Sequence, residues 1–138
     1  MRPSTVPASV SRRLADKSDA TRIAVVGASN DPDKYGNIIV RNLDRQGYTV
    51  LPVNPKAGTI AGLTAWPDLA SVPSPLHVVD MVTPPEVTKR VLQALDPHSV
   101  EAVWLQDGSF DDEVIREAEA RFPTVVHHAC IMVVTRTL

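Results

Sequence analysis

The sequence predicts an α/β fold in which one parallel sheet lies between two layers of helices. Short runs rich in valine and isoleucine alternate along the chain with segments whose apolar residues recur every three or four positions. The runs are nearly continuous in hydrophobicity, which is typical of strands covered on both faces. Strands and helices in alternation require right-handed crossovers and a doubly wound sheet.

Five apolar runs are the predicted strands, and three segments with an apolar stripe are the predicted helices. The strands are residues 23–26, 48–53, 77–82, 100–105 and 124–126, and the helices are residues 35–46, 84–95 and 110–121. Gly47 ends the first helix, and the acidic residues 111–113 favour the amino end of the last one. Residues 54–75 carry six prolines and glycines, so at most one helical turn is expected there, near residues 67–71.

A single domain accounts for the whole length of 138 residues. Residues 1–20 are predicted to be a polar N-terminal tail with a short helix near residues 9–17, packed loosely on the body. Residues 21–138 then form a Rossmann-like, doubly wound, five-stranded domain in three layers.

The composition indicates a cytoplasmic protein that binds neither nucleic acid nor a membrane. The formal net charge of −2 provides no general attraction to polyanions, so an anionic ligand must be held by local donors. We find no apolar run long enough for a signal peptide or a membrane-spanning helix. The single cysteine, Cys130, excludes an internal disulfide and a multi-cysteine metal cluster.

The loop after the first strand is a candidate phosphate site, since ligands of doubly wound sheets bind beyond the carboxyl ends of the strands. It contains Gly27, Ala28, Ser29 and Asn30, and Gly36 opens the next helix. Gly27 permits a tight turn, and free N–H groups around Ser29 suit phosphate oxygens. Gly36 is expected to leave room beside them. The spacing is not G-x-G-x-x-G, and both glycines are alternatively explained by the turn and by helix–strand packing.

The loop after the second strand contains Asn54, Pro55 and Lys56. NAD-binding domains usually carry an acidic residue here for the ribose hydroxyls, whereas this chain has a lysine. Lys56 therefore favours a ligand with an extra phosphate, either the 3′-phosphate of CoA or the 2′-phosphate of NADP. The alternative is an ordinary solvated lysine.

The loop after the third strand begins a helix. Thr83 is predicted to cap it, with Pro84 at its first position and Glu86 completing a capping box. Because Pro84 and Pro85 have no N–H groups, this helix start is expected to offer an apolar wall to an adenine ring or a pantetheine arm.

The loop after the fourth strand contains Gln106, Asp107, Gly108 and Ser109. Gln106 and Asp107 are expected to face the crevice, where an amide can bond to a ligand. Gly108 allows backbone conformations that other residues avoid, and Ser109 is predicted to cap the acidic helix that follows.

These stretches, taken in order, resemble the CoA-binding domain family, the small relatives of the N-terminal domain of the succinyl-CoA synthetase α subunit. The matching stretches are residues 27–32, 50–56 and 104–108, with a weaker match at 130–133. The family often has Asp-Arg directly before the cysteine, whereas this chain has His128-Ala129.

The resemblance implies that these loops bind CoA or acyl-CoA. It implies that Ser29 and Asn30 lie at the phosphates and that Lys56 pairs with one of them. It further implies that Thr83 and Pro84 line the adenine or pantetheine side, while Gln106 closes the pocket. The implied binding residues are Gly27, Ala28, Ser29, Asn30, Gly36, Asn54, Pro55, Lys56, Thr83, Pro84, Pro85, Gln106, Asp107 and Gly108.

No catalytic residue or metal site is predicted. His127 and His128 are adjacent at the end of a strand, so their side chains are expected on opposite faces, unable to share a metal ion. Cys130 is interpreted as a buried apolar residue, with a mixed disulfide to CoA as the alternative. The apolar residues 131–134 suggest edge pairing or a homodimer.

The sequence therefore predicts a non-catalytic CoA-binding protein, either a carrier, a sensor or a partner subunit. Two alternatives remain: an NADP-dependent oxidoreductase or acyl-CoA-handling enzyme, and a structural or regulatory subunit with a vestigial pocket.

Overall fold

The computed structural model describes residues 6–138, which form seven strands and five α-helices. The strands are β1 (Arg22–Val26), β2 (Thr49–Val53), β3 (Thr59–Ile60), β4 (Leu63–Thr64), β5 (Val78–Met81), β6 (Ala102–Leu105) and β7 (Val125–His127). The α-helices are α1 (Ala8–Ala15), α2 (Tyr35–Gln46), α3 (Pro85–Ala94), α4 (Asp112–Arg121) and α5 (Ile131–Arg136). The predicted single turn in the irregular connection is a 3₁₀ turn at Leu69–Ser71.

Five strands form one parallel sheet in the order β2-β1-β5-β6-β7, which confirms the predicted doubly wound fold. The central strand β1 pairs with β2 on one side and with β5 on the other, so Ile23 lies between Val50 and Val78. The chain leaves β1 toward β2 and then crosses back to β5. The strand order therefore reverses between β1 and β5.

Alternate residues of each central strand enter two separate cores. Ile23 and Val25 of β1 pack with α1, α2 and α5, whereas Ala24 and Val26 pack with α3 and α4. This alternation explains the continuous hydrophobicity of the strands, because both faces of the sheet are covered. None of the helices described in residues 6–138 is both long and apolar enough to cross a bilayer.

Helix α1 is packed firmly, so the prediction of loose packing was wrong. Val10 and Leu14 are 4% and 0% exposed and belong to the α2-side core. The guanidinium of Arg13 donates two hydrogen bonds of 3.0 and 2.7 Å to the carboxylate of Glu101. Val10 and Leu14 are four residues apart, so they lie on one face of the helix and both enter the core. The residues around them in the sequence are mostly polar, which favoured the prediction of loose packing. Residues 1–5 of the predicted tail lie outside the described residues.

Two elements were not predicted. Residues 59–64 form a hairpin, and both turn residues have positive φ, 51° at Ala61 and 80° at Gly62. The apolar residues near the C-terminus form helix α5, with Ile131 fully buried in this chain's own core. Tertiary packing there outweighs the low helix propensity of consecutive valines. Val133 of the same segment is 49% exposed, and the pairing of two copies stays a prediction.

Candidate ligand-binding site

The loops after β1 and β5 meet at the point where the strand order reverses. Gly27 follows β1 with φ at +95°, and a Cβ added there would lie 3.1 Å from Cγ2 of Thr83. The N–H of Val82 donates to the carbonyl of Val26 over 2.8 Å. Gly27 is thus required by its backbone conformation and by the neighbouring loop. In doubly wound sheets this crevice is the usual ligand site.

Gly36 does not leave room for a ligand. A Cβ on Gly36 would lie 2.2 Å from the carbonyl oxygen of Gly27, so the start of α2 rests directly on the loop backbone. The prediction of free space beside the loop was therefore wrong. The packing explanation of Gly36 is the one that the structure supports.

Three consecutive backbone N–H groups in the first loop are free. Within the described part of the chain, the N–H groups of Ala28, Ser29 and Asn30 have no hydrogen-bond acceptor. The hydroxyl of Ser29 accepts from the N–H of Asp31 over 3.0 Å. Successive free N–H groups near a helix start are suited to an anion.

The side chain of Asn30 is used inside the protein. Its Nδ2 donates to the carbonyl of Thr59 over 2.7 Å, and its Oδ1 accepts from the N–H of Ala61 over 3.3 Å. These bonds tie the first loop to the β3–β4 hairpin. The backbone N–H of Asn30 remains free for a phosphate, while its side chain is engaged by the hairpin.

Asn54 connects the first and second loops. Its Nδ2 donates to the carbonyl of Ala28 over 2.8 Å, and its Oδ1 accepts from the N–H of Lys56 over 2.8 Å. The Lys56 side chain is exposed and makes none of the ion pairs found among residues 6–138. Its ammonium group is thus available to an anion, although Lys56 is not among the described residues that line the groove.

A groove of about 920 Å³ opens next to these loops, between α3, the carboxyl ends of β1 and β2, and the irregular segment of residues 67–74. Its volume lies within the range of small-molecule sites. Its lining includes Gly27, Val53, Asn54, Pro55 and Thr83 at the strand ends, Val87, Arg90, Val91 and Ala94 on α3, and Asp68, Leu69, Ala70 and Val72 on the irregular segment. We call this cavity the groove.

Sequence reasoning missed the contribution of α3 to the groove. Its apolar stripe was assigned to helix packing, but Val87, Val91 and Ala94 line the groove, while Leu92 enters the core. Arg90 supplies the cation among these described lining residues, and Asp68 and Asp96 supply carboxylates. The helical spacing of Val87, Arg90, Val91 and Ala94 is the signal that placed them on one face.

The predicted helix caps were wrong. Pro84 occupies the N-cap of α3 and Pro85 its first position, one residue later than expected. The hydroxyls of Thr83 and Thr88 bond to each other over 2.8 Å instead. Pro84 and Pro85 cannot donate at this helix start, and neither is among the described residues that line the groove.

The cap predicted for α4 was also wrong. The carboxylate of Asp111 accepts from the N–H of Val114 over 2.9 Å, whereas the Ser109 hydroxyl donates to the carbonyl of Gln106 over 2.6 Å. Asp107 and Gly108 are exposed at the strand end.

Gln106 faces α5 and does not line the groove. It is 1% exposed, and its Oε1 accepts from the N–H of Ile131 over 3.1 Å. Next to Ile131 in the chain, Sγ of Cys130 lies 3.0 Å from Tyr35 Oη. The carboxyl edge of the sheet therefore carries a second polar cluster, on the α2 and α5 side.

His127 and His128 lie side by side, so the prediction of opposite faces was wrong. Their Nδ1 atoms are 2.6 Å apart, because strand β7 ends at His127 and a φ of 58° at His128 turns the backbone. Phe110 packs against both rings. Burial, followed by the neighbouring His128, lowers the pKa of His127. Among residues 6–138 we find no group of three side chains placed to hold a metal ion.

A family model described as "CoA binding domain" matches residues 21–136. The chain belongs to the CoA-binding domain family. The match covers all five strands of the parallel sheet, all the loops of the candidate site and the irregular segment that lines the groove.

Relatives of this CoA-binding domain include a stand-alone protein and a ligase subunit. Uncharacterized protein YneT of Bacillus subtilis is 28% identical over 112 residues, which are 81% of this chain and 83% of that one. The α subunit of acetate–CoA ligase (ADP-forming) II of Pyrococcus furiosus is 32% identical over 91 residues, 65% of this chain. This domain spans only 20% of that subunit.

A solved structure has the same fold over its full length. The hypothetical protein from Pyrococcus horikoshii OT3 is 27% identical, with a TM-score of 0.85, and the alignment covers 100% of this chain and 96% of that one. The region similar to this domain therefore makes up nearly all of that protein.

Proposed function

We propose that this chain binds CoA or acyl-CoA reversibly in the groove and acts without catalysis, as a carrier, a sensor or a partner subunit. The proposal rests on one observation: free hydrogen-bond donors lie at loops next to a largely apolar groove. The free N–H groups of Ala28, Ser29 and Asn30 and the ammonium of Lys56 lie at loops that Asn54 joins. The groove opens beside them.

The parts of CoA match the parts of this site. Phosphates suit the N–H groups of the first loop and the cation of Lys56, which together supply neutral and charged donors. The adenine ring and the pantetheine arm suit the aliphatic wall that Val87 and Val91 form along α3. Pro84 and Pro85 precede that wall without competing donors.

The groove lining favours binding over chemistry. It combines aliphatic side chains with the guanidinium of Arg90, the carboxylates of Asp68 and Asp96 and the hydroxyls of Ser74, Thr83 and Ser99. The Ser99 hydroxyl donates to the backbone carbonyl of Asp96 and the Thr83 hydroxyl bonds to that of Thr88, so neither is paired with a general base. A ligand held there would keep its covalent structure. The ligase activity named for a relative belongs to a protein five times as long as the shared region.

A thermal-shift comparison of CoA, dephospho-CoA, NAD and NADP tests this proposal. A ligand at a hundred times its dissociation constant stabilises the folded state by about 2.7 kcal/mol, which raises Tm by roughly 5–10 °C in a domain of this size. CoA is expected to raise Tm most, dephospho-CoA less and NAD least. A larger shift with NADP than with CoA would favour the oxidoreductase alternative, and no shift with any of the four would reject the proposal.

A further inference from the structure

We propose that Arg22 and His77 form a proton-sensitive clasp that holds the outer wall of the groove, so that protonation of His77 weakens the binding of CoA. This regulation rests on the proposed function, because the clasp acts on the groove in which CoA is proposed to bind. The outer wall is the irregular segment of residues 67–74, which contributes Val72 and Ser74 to the groove lining. The clasp lies where this wall joins β5.

The side chain of Arg22 holds the end of the outer wall. Its Nε donates to the carbonyl of Pro75 over 2.6 Å, and its Nη2 donates to the carbonyl of Pro73 over 3.0 Å. Residues 73–75 are exposed, and the two prolines have no N–H groups of their own. Within the described chain, the hydrogen bonds that we find to residues 73–75 are these two. The guanidinium therefore positions Ser74, the lining residue between the two prolines.

The backbone of Arg22 is in turn joined to His77 by two hydrogen bonds. The N–H of Arg22 donates to Nδ1 of the His77 ring over 3.0 Å, and the N–H of His77 donates to the carbonyl of Arg22 over 3.1 Å. A ring nitrogen accepts a hydrogen bond only when it carries no proton. Because His77 is only 8% exposed, water is poorly placed to replace this acceptor. The position of Arg22 at the start of β1 thus depends on a neutral His77.

A second proton on His77 would break this arrangement. In the neutral ring the proton is on Nε2, which lies 3.9 Å from Oε2 of Glu101. The charged ring also carries a proton on Nδ1, which then meets the N–H of Arg22 as one donor facing another. The two groups must separate, and a shift of Arg22 releases the carbonyls of residues 73 and 75 from its guanidinium.

The surroundings of His77 keep it neutral at neutral pH. Burial, followed by the positive charge of Arg13 on α1, lowers the pKa of His77, and Arg22 on β1 lowers it further. Glu101, which precedes β6, raises this pKa, but its carboxylate is already bound by the Arg13 guanidinium over 3.0 and 2.7 Å. The pKa of His77 therefore lies below its ordinary value of 6.5. The clasp is closed at pH 7 and opens as pH falls below that value.

The test is the dissociation constant of CoA for the full chain at pH 7.5 and at pH 5.5, measured by calorimetric titration. His77→Asn is the variant of choice, because its amide oxygen can accept from the Arg22 N–H in place of Nδ1 and does not titrate. Over this range the wild type is expected to lose roughly threefold more affinity than His77→Asn, through linkage to one proton. Phosphate groups of CoA titrate near about pH 6, but they do so in both experiments, so the difference reports His77.

His98→Asn is the matched control. His98 is exposed and lies in the chain between Asp96 and Ser99, two residues of the groove lining. This variant should keep the pH dependence of the wild type. The same pH dependence in the wild type and in His77→Asn would overturn the inference, and so would its loss in His98→Asn. Thermal melts at each pH establish that every variant is folded during its titration.

Arg22→Met tests the outer wall separately from the proton. Methionine keeps the aliphatic stem and the backbone bonds to His77, but it removes both bonds to the carbonyls of residues 73 and 75. Affinity for CoA at pH 7.5 should fall about threefold to tenfold, since the wall is in its binding position for less of the time. Arg116→Met, at an exposed position of α4 outside the groove, should leave the affinity unchanged. Equal affinities of these two variants would contradict the role of Arg22.

The proposed function and the clasp fail in different ways. If the wild type and His77→Asn bind CoA equally at both pH values, the proposed function stands and the clasp is rejected. If no variant shows heat of binding or a thermal shift with CoA at pH 7.5, the proposed function fails, and the regulation of CoA binding fails with it.

Discussion

Gly36 rests on the carbonyl oxygen of Gly27 so closely that a Cβ at position 36 would lie 2.2 Å from that oxygen. The contact holds the start of α2 against the first loop, which carries the free N–H groups of Ala28, Ser29 and Asn30. The loop that carries the donors is therefore held by this backbone contact together with the Asn54 side chain, which donates to the carbonyl of Ala28.

Gly36→Ala is expected to destabilise the fold by about 1–3 kcal/mol, because a methyl group forced against backbone atoms must displace α2 or the loop. Urea denaturation measures the change. Gly58→Ala is the matched control, since no atom lies within 4 Å of its added Cβ. Equal stability of the two variants would contradict the close contact.

Lys56→Ala should weaken CoA by about tenfold and dephospho-CoA by less, if the ammonium pairs with the 3′-phosphate. Calorimetric titration of both ligands gives the ratio. Lys17→Ala serves as the control, because Lys17 contacts Gly47 at the far end of α2. Equal weakening of both ligands by Lys56→Ala would instead assign the lysine to the pyrophosphate.

Arg90→Ala should lower the affinity for CoA by about fivefold to tenfold, or roughly 1–1.4 kcal/mol, since it removes the cation of the groove lining. Arg116→Ala removes an exposed arginine of α4 that lies outside the groove. The same titrations compare the two variants. Affinity lost equally in both would indicate a general effect of charge and would remove Arg90 from the site.

Asp80→Asn should alter how stability depends on pH. The folded state raises the pKa of Asp80, so this carboxyl favours folding below its unfolded pKa of about 4, and the benefit is lost as pH rises toward the folded value. Asparagine does not titrate. The free energy of unfolding of Asp80→Asn minus that of the wild type should therefore increase between pH 4 and pH 7.

Urea denaturation across that pH range measures the difference. Asp107→Asn, at an exposed position, is the control for the exchange of aspartate for asparagine itself. A difference for Asp80→Asn that is constant with pH would show that Asp80 has an ordinary pKa in the folded state.

The strands and the loops of the site were predictable because they obey general rules. Runs of β-branched residues identify buried strands, and the carboxyl ends of parallel strands meet at one edge. These rules alone bring Gly27, Asn54 and Thr83 together. The predicted bounds of α2, residues 35–46, are those of the structure. Its C-terminal end was predictable because Gly47 adopts the left-handed conformation that terminates a helix.

The remaining features depend on contacts distant in sequence. Arg90 lines the groove because residues 67–74 fold opposite α3, and an apolar stripe does not indicate whether it faces a core or a cleft. The side chain of Asn30 is engaged inside the protein because its amide bonds to a hairpin that has no Asn-Gly signal. His128 lies beside His127 because its φ is 58°, and the sequence around His128 did not indicate this backbone conformation.

The outer wall of the groove is attached to β2 through Trp66. Its N–H donates to the carbonyl of Pro52 and its carbonyl accepts from the N–H of Asn54, both over 2.9 Å, and Pro67 next to it lines the groove. The other tryptophan, Trp104, is completely buried in the sheet. Trp66 thus directly precedes a lining residue in the chain, whereas Trp104 is enclosed by the sheet. We therefore expect occupancy of the cleft to change the intrinsic fluorescence emission, with no dye attached.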